Sequence, residues 1–160
     1  MRSPTRVLFV CLGNICRSPL AEGAFVNHVK TAGLKDQFTV DSAGTSGYHA
    51  GELPDKRSID VARAHGVDIT MQRSRALTRR DFKTFQYIVA MDRANLANIR
   101  RVEPADSTAE ISLMLSEVSH DAADVPDPYY GGVDGFETVW QMVDRATGNL
   151  LKRLIQEQAE

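Results

Sequence analysis

Hydrophobic positions in this chain alternate between short apolar runs and longer stretches in which apolar residues recur every three or four positions. The short runs, predicted as strands, occupy 6–10, 38–40, 87–91 and 110–113. The periodic stretches, predicted as helices, occupy 19–31, 59–66, 92–101 and 136–157. Strands separated by helices favour an α/β fold, in which helices cover both faces of a parallel sheet.

The composition of the 160 residues, with 42% hydrophobic and 25% charged, is that of an ordinary globular protein, and we expect one domain over 1–160. The net charge of -2 gives no electrostatic basis for binding nucleic acid or a membrane surface. No apolar run is long enough to span a bilayer, and the run 8–10 is too short for a signal-peptide core. These features predict a cytoplasmic protein.

The only two cysteines, Cys11 and Cys16, lie directly after the first predicted strand. Two cysteines cannot build a disulfide framework. A structural zinc site usually needs four Cys or His ligands, and the four histidines show no ligand spacing. They are His28, His49, His65 and His120. The sequence therefore predicts no metal and no cofactor, and it leaves a nucleophile as the role to test for this loop.

The loop between the first strand and the first helix has the features of a phosphate cradle. Gly13 and Asn14 tolerate a left-handed backbone, which lets successive N–H groups turn inward and form an anion nest. Ser18 suits the N-cap of the helix and Pro19 its first position, and the helix dipole adds positive potential. The motifs of nucleotide and dinucleotide loops are absent.

Cys11 and Arg17 suit phosphoryl transfer in this setting. Inward N–H groups, a helix N-terminus and an arginine favour the thiolate of Cys11, which is the nucleophilic form. Arg17 can bind two oxygens of a phosphoryl group as a fork, and Ser18 can donate a hydrogen bond to the thiolate. The alternative, a small buried hydrophobic cysteine, does not explain the Gly-Asn turn or the Ser-Pro helix start.

A general acid is needed to protonate a phenolate leaving group, whose conjugate acid has a pKa of about 10. Asp127 precedes Pro128, which biases its backbone toward an extended conformation and stiffens the loop. Asp127 can then donate a proton and later accept one from water. A plain Asp-Pro turn and a role for Asp124 are the alternatives. Tyr129 and Tyr130 can wall the pocket, or they are exposed turn residues.

With these residues identified, the chain resembles the low-molecular-weight protein-tyrosine phosphatases over nearly its whole length. The motifs that carry the resemblance occur in order: VLFVCLGNICRSPLAE, VDSAGTSGY (40–48), AHG, DFKTFQYIVAMDRAN (81–95) and DPYYGG followed by FETVW. The resemblance implies a three-layer fold with a central four-stranded parallel sheet. It also implies metal-free hydrolysis of protein phosphotyrosine through a cysteinyl phosphate, acid phosphatase activity, binding of phosphate and other oxyanions, and tyrosine-phosphorylated partners that include a tyrosine kinase. The sequence leaves the oligomeric state open, and a monomer is the default expectation.

The resemblance also implies roles for individual residues. Cys11 is the nucleophile, Arg17 binds phosphate with the loop amides, Asp127 is the acid and Ser18 assists the thiolate. The phosphate loop includes Leu12, Gly13, Asn14, Ile15 and Cys16. Asn14 holds this loop curled and Ser42 supports it. The entrance is lined by Leu12, Tyr48, Tyr129 and Tyr130. His49 lies at a position that varies in the family and is expected to bind substrate and tune substrate choice.

One position departs from the family pattern. Members often have a second histidine six residues after the one that matches His65, and this chain has Met71 there. We therefore expect any electrostatic network through which His65 supports the loop, with Glu22 and Asp41, to be smaller. A structural role for His65 is the equal alternative. His28 and His120 are predicted as surface residues.

Three rival functions fit parts of the pattern. Arsenate reductases of similar fold relay oxidation through further cysteines, and this chain has only Cys16. Protein-arginine phosphatases have threonine where this chain has Ile15, and the Tyr129–Tyr130 pair favours an aryl phosphate. A phosphotyrosine-binding module would lack the nucleophile or the acid. Cys16 is not needed for phosphoryl transfer, and our hypothesis is that it captures oxidised Cys11 as a reversible disulfide; packing under the loop is the alternative.

Overall fold

A four-stranded parallel sheet with the order β2-β1-β3-β4 forms the centre of the molecule. The structure, a computed structural model, describes residues 3–119 and 123–159, so the prediction for His120 lies outside the described residues. The strands are β1 (Thr5–Cys11), β2 (Phe38–Gly44), β3 (Tyr87–Ala90) and β4 (Glu110–Leu113). The helices are α1 (Arg17–Thr31), α2 (Lys56–Ala64), α3 (Asp81–Thr84), α4 (Arg93–Val102) and α5 (Val133–Ala159).

Strand β1 is apolar throughout its second half because helices cover both of its faces. Val7 and Phe9 pack into one hydrophobic cluster with residues of α1 and α5, and Leu8 and Val10 pack into a second cluster with residues of α3 and α4. Successive side chains of a strand point to opposite faces, so an uninterrupted apolar run is what a doubly covered strand requires. This confirms the predicted three-layer α/β fold.

Helix α5 contributes much of the first cluster. Trp140, Val143 and Leu150 are buried there, as their helical spacing predicts for a core-facing stripe. No helix among the described residues is both long and apolar enough to cross a membrane. His28, predicted on the surface, is half-buried, and its Nε2 lies 2.9 Å from the carbonyl oxygen of Asp144 on α5.

Several element boundaries differ from the predicted ones for physical reasons. Strand β2 continues to Gly44, because the whole of β1 pairs with it even where Asp41 and Ser42 replace apolar residues. Helix α2 begins after Asp55, whose carboxylate caps it by accepting from the Arg57 amide at 2.9 Å. The four-residue helix α3 is too short for any periodicity to reveal.

Candidate active site

The loop from Cys11 to Arg17 joins the buried end of β1 to α1 at the carboxyl edge of the sheet. Asn14 has a φ of 56°, the left-handed conformation expected for this turn. Its backbone N–H donates to Cys11 Sγ at 3.3 Å. Thr45 and Ser46 amides bind the carbonyls of Cys11 and Leu12, both at 2.9 Å. The curled loop is therefore anchored to the segment after β2 and directs an amide at the sulfur.

The side chain of Asn14 is the centre of a buried hydrogen-bond network. Its Nδ2 donates to Ser18 Oγ at 2.8 Å and to Ser42 Oγ at 3.0 Å, and its Oδ1 accepts from the Arg75 amide at 3.0 Å. All of its hydrogen-bonding groups are thus engaged by the loop or by its neighbours. This geometry matches the loop-holding roles that the resemblance implies for Asn14 and Ser42.

Ser18 contacts the sulfur rather than capping the helix. Its Oγ lies 3.1 Å from Cys11 Sγ, and because it already accepts from Asn14, its own proton is free for the sulfur. Helix α1 begins at Arg17, with Cys16 at the N-cap and no side-chain cap. The prediction of Ser18 as N-cap was wrong, because Asn14 and the Cys11 sulfur engage the Ser18 hydroxyl, which therefore does not bind a backbone amide of α1.

Arg17 is almost fully buried, with one side of its guanidinium fixed. Nη1 donates to Asp92 Oδ2 at 2.6 Å and to the Val125 carbonyl at 3.0 Å. Burial opposes the charge, but electrostatic interaction with Cys11 and the hydrogen bond to the Asp92 carboxylate raise the pKa of Arg17 above its usual range. The guanidinium is thus a permanent, oriented cation beside the sulfur.

Asp127 faces this cation from the other side of the cavity. Its Oδ2 lies 3.7 Å from Arg17 Nη2, while its Oδ1 accepts from the Tyr129 amide at 3.0 Å. The alternative acid, Asp124, is bound by the amide and side chain of Arg93 at 3.0 and 3.1 Å, and these contacts keep its pKa below its usual range. Asp127, not Asp124, lines the cavity.

A cavity of about 470 Å³ collects most of the predicted site residues. The lining residues are Cys11, Leu12, Gly13, Ile15, Cys16, Arg17, Ser46, Tyr48, His49, Asp127, Tyr129 and Tyr130. The sequence analysis had not selected Ser46. Tyr48 and Tyr130 are 85% and 94% exposed, so these rings stand at the rim. His49 Nδ1 lies 2.8 Å from Glu52 Oε2, which holds the imidazole beside Tyr48.

Comparison with known proteins identifies the family. The family model described as low molecular weight phosphotyrosine protein phosphatase matches residues 6–160. The chain belongs to this family. A low molecular weight phosphotyrosine protein phosphatase from Schizosaccharomyces pombe is 47% identical over 157 residues, covering 96% of this chain and 99% of that protein.

Solved structures of phosphatases agree with the family assignment. A crystal structure of a protein tyrosine phosphatase from Entamoeba histolytica, with Hepes in its active site, has a TM-score of 0.91 at 37% identity and covers 96% of this chain and 99% of that one. YfkJ from Bacillus subtilis has a TM-score of 0.91 at 38% identity and covers 98% of each chain. The chain is therefore a hydrolase of the protein-tyrosine phosphatase class.

A second layer of charges behind the phosphate loop of this phosphatase centres on Arg75. Ser42 Oγ donates to Glu22 Oε1 at 2.7 Å. Arg75 Nε donates to Asp41 Oδ2 at 3.0 Å, and its Nη atoms bind the carboxylate of Asp81. Burial is the main reason that the pKa of Glu22 rises to about 7.

His65 does not join this network, which corrects the expected contact with Glu22 and Asp41. Its Nε2 lies 2.9 Å from Glu137 Oε1, and its ring stacks on Trp140 with centroids 5.1 Å apart. Both partners belong to α5. His65 lies at the end of α2, next to Gly66 with its φ of 80°, and its side chain reaches α5 from there. Met71 is largely exposed, and the neighbouring Gln72 instead reaches the Pro19 carbonyl at 3.2 Å.

Three residues that the sequence analysis missed hold the site together: Arg75, Asp92 and Arg57. Asp92 caps α4 by accepting from the Asn95 amide at 2.6 Å, and it also binds Arg17. The sequence signal was available, since Asp92 follows a predicted strand at the same sheet edge as the phosphate loop. Arg75 and Arg57 lie in or beside loops and have no such signal.

Among the described residues, no group of three or more His, Cys, Asp or Glu side chains is arranged to hold a metal ion. Cys11 and Cys16 are both free and buried. The polar side chains that converge on the cavity include a thiol, a guanidinium and a carboxyl group, those of Cys11, Arg17 and Asp127.

Proposed function

We propose that this phosphatase hydrolyses protein phosphotyrosine through a cysteinyl phosphate, with Asp127 as general acid and without a metal. The observation that carries the proposal is the convergence of Cys11, Arg17 and Asp127 on one cavity. An amide and a hydroxyl bind the same sulfur, as a stabilised thiolate requires.

In the first step, the Cys11 thiolate attacks phosphorus and forms the S–P bond as the bond from phosphorus to the tyrosine oxygen breaks. Arg17 and the loop amides bind the remaining phosphoryl oxygens, where charge is concentrated in the transition state. The proton for the leaving phenolate comes from Asp127. Its Oδ2 is the donating atom, since Oδ1 is occupied by the Tyr129 amide.

In the second step, the Asp127 carboxylate takes a proton from water, whose oxygen attacks phosphorus as the S–P bond breaks. The thiolate then leaves with its electron pair. Ser18 lowers the free energy of this step because its hydroxyl, oriented by Asn14, donates to the departing sulfur. One carboxyl group thus serves as acid and then as base.

The rim of the cavity supports an aryl substrate. Tyr48, Tyr129 and Tyr130 offer ring faces and edges to a phenyl group. Ile15 contributes an apolar side chain where protein-arginine phosphatases have a threonine, which disfavours a guanidinium group. Tyrosine-phosphorylated proteins, a tyrosine kinase among them, a cytoplasmic location and a monomeric state remain predictions.

The decisive experiment compares turnover of phosphotyrosine peptide, phosphoarginine and arsenate with and without a chelator. We expect turnover of the phosphotyrosine peptide only, unaffected by chelator, blocked by vanadate, and lost in Cys11→Ser. Activity retained by Cys11→Ser, or abolished by the chelator, would contradict the mechanism. Faster turnover of phosphoarginine or arsenate would replace the substrate assignment.

The capture of oxidised Cys11 by Cys16 is a separate part of the proposal. Peroxide would convert the Cys11 thiolate to a sulfenic acid, and the Cys16 thiol would displace water to form the disulfide. Burial, with Asp55 and Cys11 nearby, raises the pKa of Cys16 to about 12, so Cys16 is a thiol that reacts slowly. We expect Cys16→Ser to regain less activity with added thiol after peroxide; equal recovery would leave Cys16 a packing residue.

A further inference from the structure

We propose that Arg57 is a positioning residue that fixes the acid loop, residues 127–131, over the phosphate loop. This inference rests on the proposed function, because it concerns the aim of the general acid Asp127. Arg57 Nη2 donates to the Tyr129 carbonyl at 3.0 Å, and its Nη1 lies 3.4 Å from the Gly131 carbonyl. Among the described residues, these are the only hydrogen bonds that reach the backbone of the acid loop from outside it.

The other end of this connection is the phosphate loop itself. Arg57 Nε and Nη2 each lie 3.0 Å from one carboxylate oxygen of Asp55, a bidentate pair. The Asp55 amide donates to the Ile15 carbonyl at 2.7 Å, and Ser58 Oγ donates to the Cys16 carbonyl at 3.3 Å. The start of α2 is therefore bonded to the nucleophile's loop, and Arg57 extends from it to the acid's loop.

The guanidinium is also held by packing. Its Cζ lies 4.6 Å from the ring centroid of Phe136 and 5.6 Å from that of Tyr129. Phe136 is fully buried at the start of α5, so the plane of the guanidinium has a rigid support. A lysine at this position would keep the charge but could not make the fork to Asp55 and reach two carbonyls.

The consequence for catalysis follows through Tyr129. Arg57 donates to the Tyr129 carbonyl, and the Tyr129 amide donates to Asp127 Oδ1. The position of Tyr129 therefore sets the orientation of the Asp127 carboxyl group. Among the described residues, neither Asp127 nor Pro128 has a backbone hydrogen bond to the phosphate loop; the nearest one along the chain joins Arg17 to the Val125 carbonyl at 3.0 Å. Loss of Arg57 should therefore misplace the acid while the nucleophile and Arg17 stay in position.

The test uses leaving groups of different basicity. A more basic leaving group depends more strongly on protonation by the acid, so a misplaced acid should slow the reaction of phenyl phosphate most. Phenyl phosphate and 4-nitrophenyl phosphate are compared for the parent, Arg57→Met, Arg57→Lys and Asp127→Asn. We expect Arg57→Met to lose about 10-fold in kcat/KM with phenyl phosphate and clearly less with 4-nitrophenyl phosphate, with Arg57→Lys intermediate. The quantity is kcat/KM because it covers only formation of the cysteinyl phosphate, the step in which the leaving group departs. The exposed neighbour Lys56→Met is the matched control, and it should match the parent.

A double variant separates positioning from general damage. If Arg57 acts through Asp127, Arg57→Met adds little to Asp127→Asn, and the two losses do not multiply. Equal losses of kcat/KM with both leaving groups, or multiplicative losses in the double variant, would overturn the inference. If Asp127→Asn itself shows no leaving-group dependence, the proposed acid is wrong instead. Thermal unfolding of each variant verifies that the comparison concerns folded protein.

A different observation carries a second proposal, a groove beside the active site that is lined by two arginines without ion pairs among the described residues. This groove, of about 830 Å³, shares Leu12 with the catalytic cavity and is also lined by Leu77, Arg79, Arg101 and Val102. Both arginines are exposed, and neither forms an ion pair with a described residue. Arg101 donates only to the Asn98 side chain, at 2.9 Å.

The acidic residues near these arginines are each paired with another cation. Asp106 interacts electrostatically with Arg79, but its Oδ2 lies 3.1 Å from Lys83 Nζ. Glu103 lines the groove, but its carboxylate is bound by Arg100 at 3.1 Å. We infer that the groove binds the part of a phosphoprotein substrate adjacent to the phosphotyrosine, when that part carries a carboxylate next to an apolar side chain. Two observations specify this occupant: the groove is continuous with the catalytic cavity through Leu12, and its arginines carry positive charge. This inference rests on the proposed function.

The test compares two phosphotyrosine peptides that differ only in having Glu or Lys beside the phosphotyrosine. We expect the parent to favour the Glu peptide by about 5-fold in kcat/KM, less at high salt, and the Arg79→Glu/Arg101→Glu variant to lose or invert this preference. Its kcat/KM with 4-nitrophenyl phosphate should be unchanged. The control is Arg63→Glu/Arg145→Glu, which makes the same change in net charge outside the groove and should keep the parent's preference for the Glu peptide.

Each result of this comparison is decisive for the groove. If the parent shows no preference between the peptides, the inference is overturned. If both double variants change the preference equally, the effect is due to net charge and the inference is also overturned. Turnover of 4-nitrophenyl phosphate without turnover of either peptide would instead contradict the proposed phosphotyrosine specificity.

Discussion

The phosphate loop and the acid loop contribute to the same cavity but are built in opposite ways. Asn14 in the phosphate loop is 2% exposed, and its side chain is bonded on every side. The side chain of Asp127 is 41% exposed, and its loop is tied down from outside by Arg57. The proposed nucleophile is thus held by a buried network, whereas the loop of the proposed acid is held by hydrogen bonds from a partly exposed arginine.

The difference matches what each group must do. A thiolate and an arginine gain from a water-poor site, since electrostatic interactions strengthen there. The acid has to meet a leaving group that arrives from solvent, and then the water that replaces it. Perturbations of the buried loop should therefore reduce all turnover, while perturbations of the exposed loop should depend on the substrate.

The largest effect expected on the buried side comes from Arg17→Lys. Lysine keeps a charge but loses the fork that binds two phosphoryl oxygens and the paired contacts to Asp92 and Val125. We expect kcat/KM to fall on the order of 10³-fold for every aryl phosphate, together with weaker inhibition by phosphate. A loss below 10-fold would show that charge alone suffices.

Asn14→Asp should have the next largest effect, because it changes donors without changing shape. The new carboxylate can still accept from the Arg75 amide, but it accepts hydrogen bonds from the Ser18 and Ser42 hydroxyls, whereas Asn14 donates to them. The thiolate then loses its hydroxyl donor and gains a negative neighbour. We expect kcat/KM to fall on the order of 10²-fold and iodoacetate alkylation of Cys11 at pH 7 to slow; unchanged alkylation would contradict this account.

Glu22→Gln tests the layer behind the phosphate loop through its pH dependence. Folding raises the pKa of Glu22 from 4.5 to about 7, so the folded state holds this proton more tightly than the unfolded chain. The resulting stabilisation is complete below pH 4.5 and is lost as the pH rises through about 7; its full size is about 3 kcal/mol.

Glutamine stays neutral and can still accept from Ser42. The free energy of unfolding of Glu22→Gln, measured with urea between pH 4 and 8, should therefore lose this part of the pH dependence. Glu103→Gln, which removes a carboxylate paired with Arg100, is the control for a change in net charge. Parallel curves for the parent and Glu22→Gln would show that Glu22 does not titrate in this range.

Tyr130→Ala should have the smallest effect, on the exposed side. The ring is almost fully exposed, so the free energy of unfolding should change by less than about 0.5 kcal/mol. Contact with an aryl group is worth about 1 kcal/mol, so kcat/KM for phosphotyrosine peptide should fall a few-fold. Met71→Ala, another exposed side chain that does not line the cavity, should leave both quantities unchanged.

The same contrast explains what the sequence could predict. The strand, the Gly-Asn turn and the cysteine and arginine are contiguous, so local rules predicted a curled loop after β1, and the alternation of elements predicted the parallel sheet. The apolar spacing around Trp140 correctly predicted a core helix. Each of these rests on residues that are close in the chain or on a simple periodicity.

What the sequence did not reveal depends on contacts across the fold. Arg17 meets Asp92 across 75 positions, and Arg57 meets Tyr129 across 72, so no local pattern records either pair. Ser18 resembled an N-cap because its spacing is right, yet a hydrogen bond from Asn14 decides its orientation. His65 was expected near Glu22, but the turn at the end of α2 directs it to α5.

The position of β1 at the centre of the sheet has a consequence for partial denaturation. The Cys11 loop continues from the most enclosed strand, so it should persist until the molecule unfolds as a whole, whereas the acid loop can detach earlier. At low urea concentrations, turnover of phenyl phosphate should therefore decline first. Phosphate-protected alkylation of Cys11 should decline only with the loss of tertiary structure. Between these two urea concentrations, the protein would keep a reactive Cys11 thiol and an intact anion site but would lack a positioned proton donor.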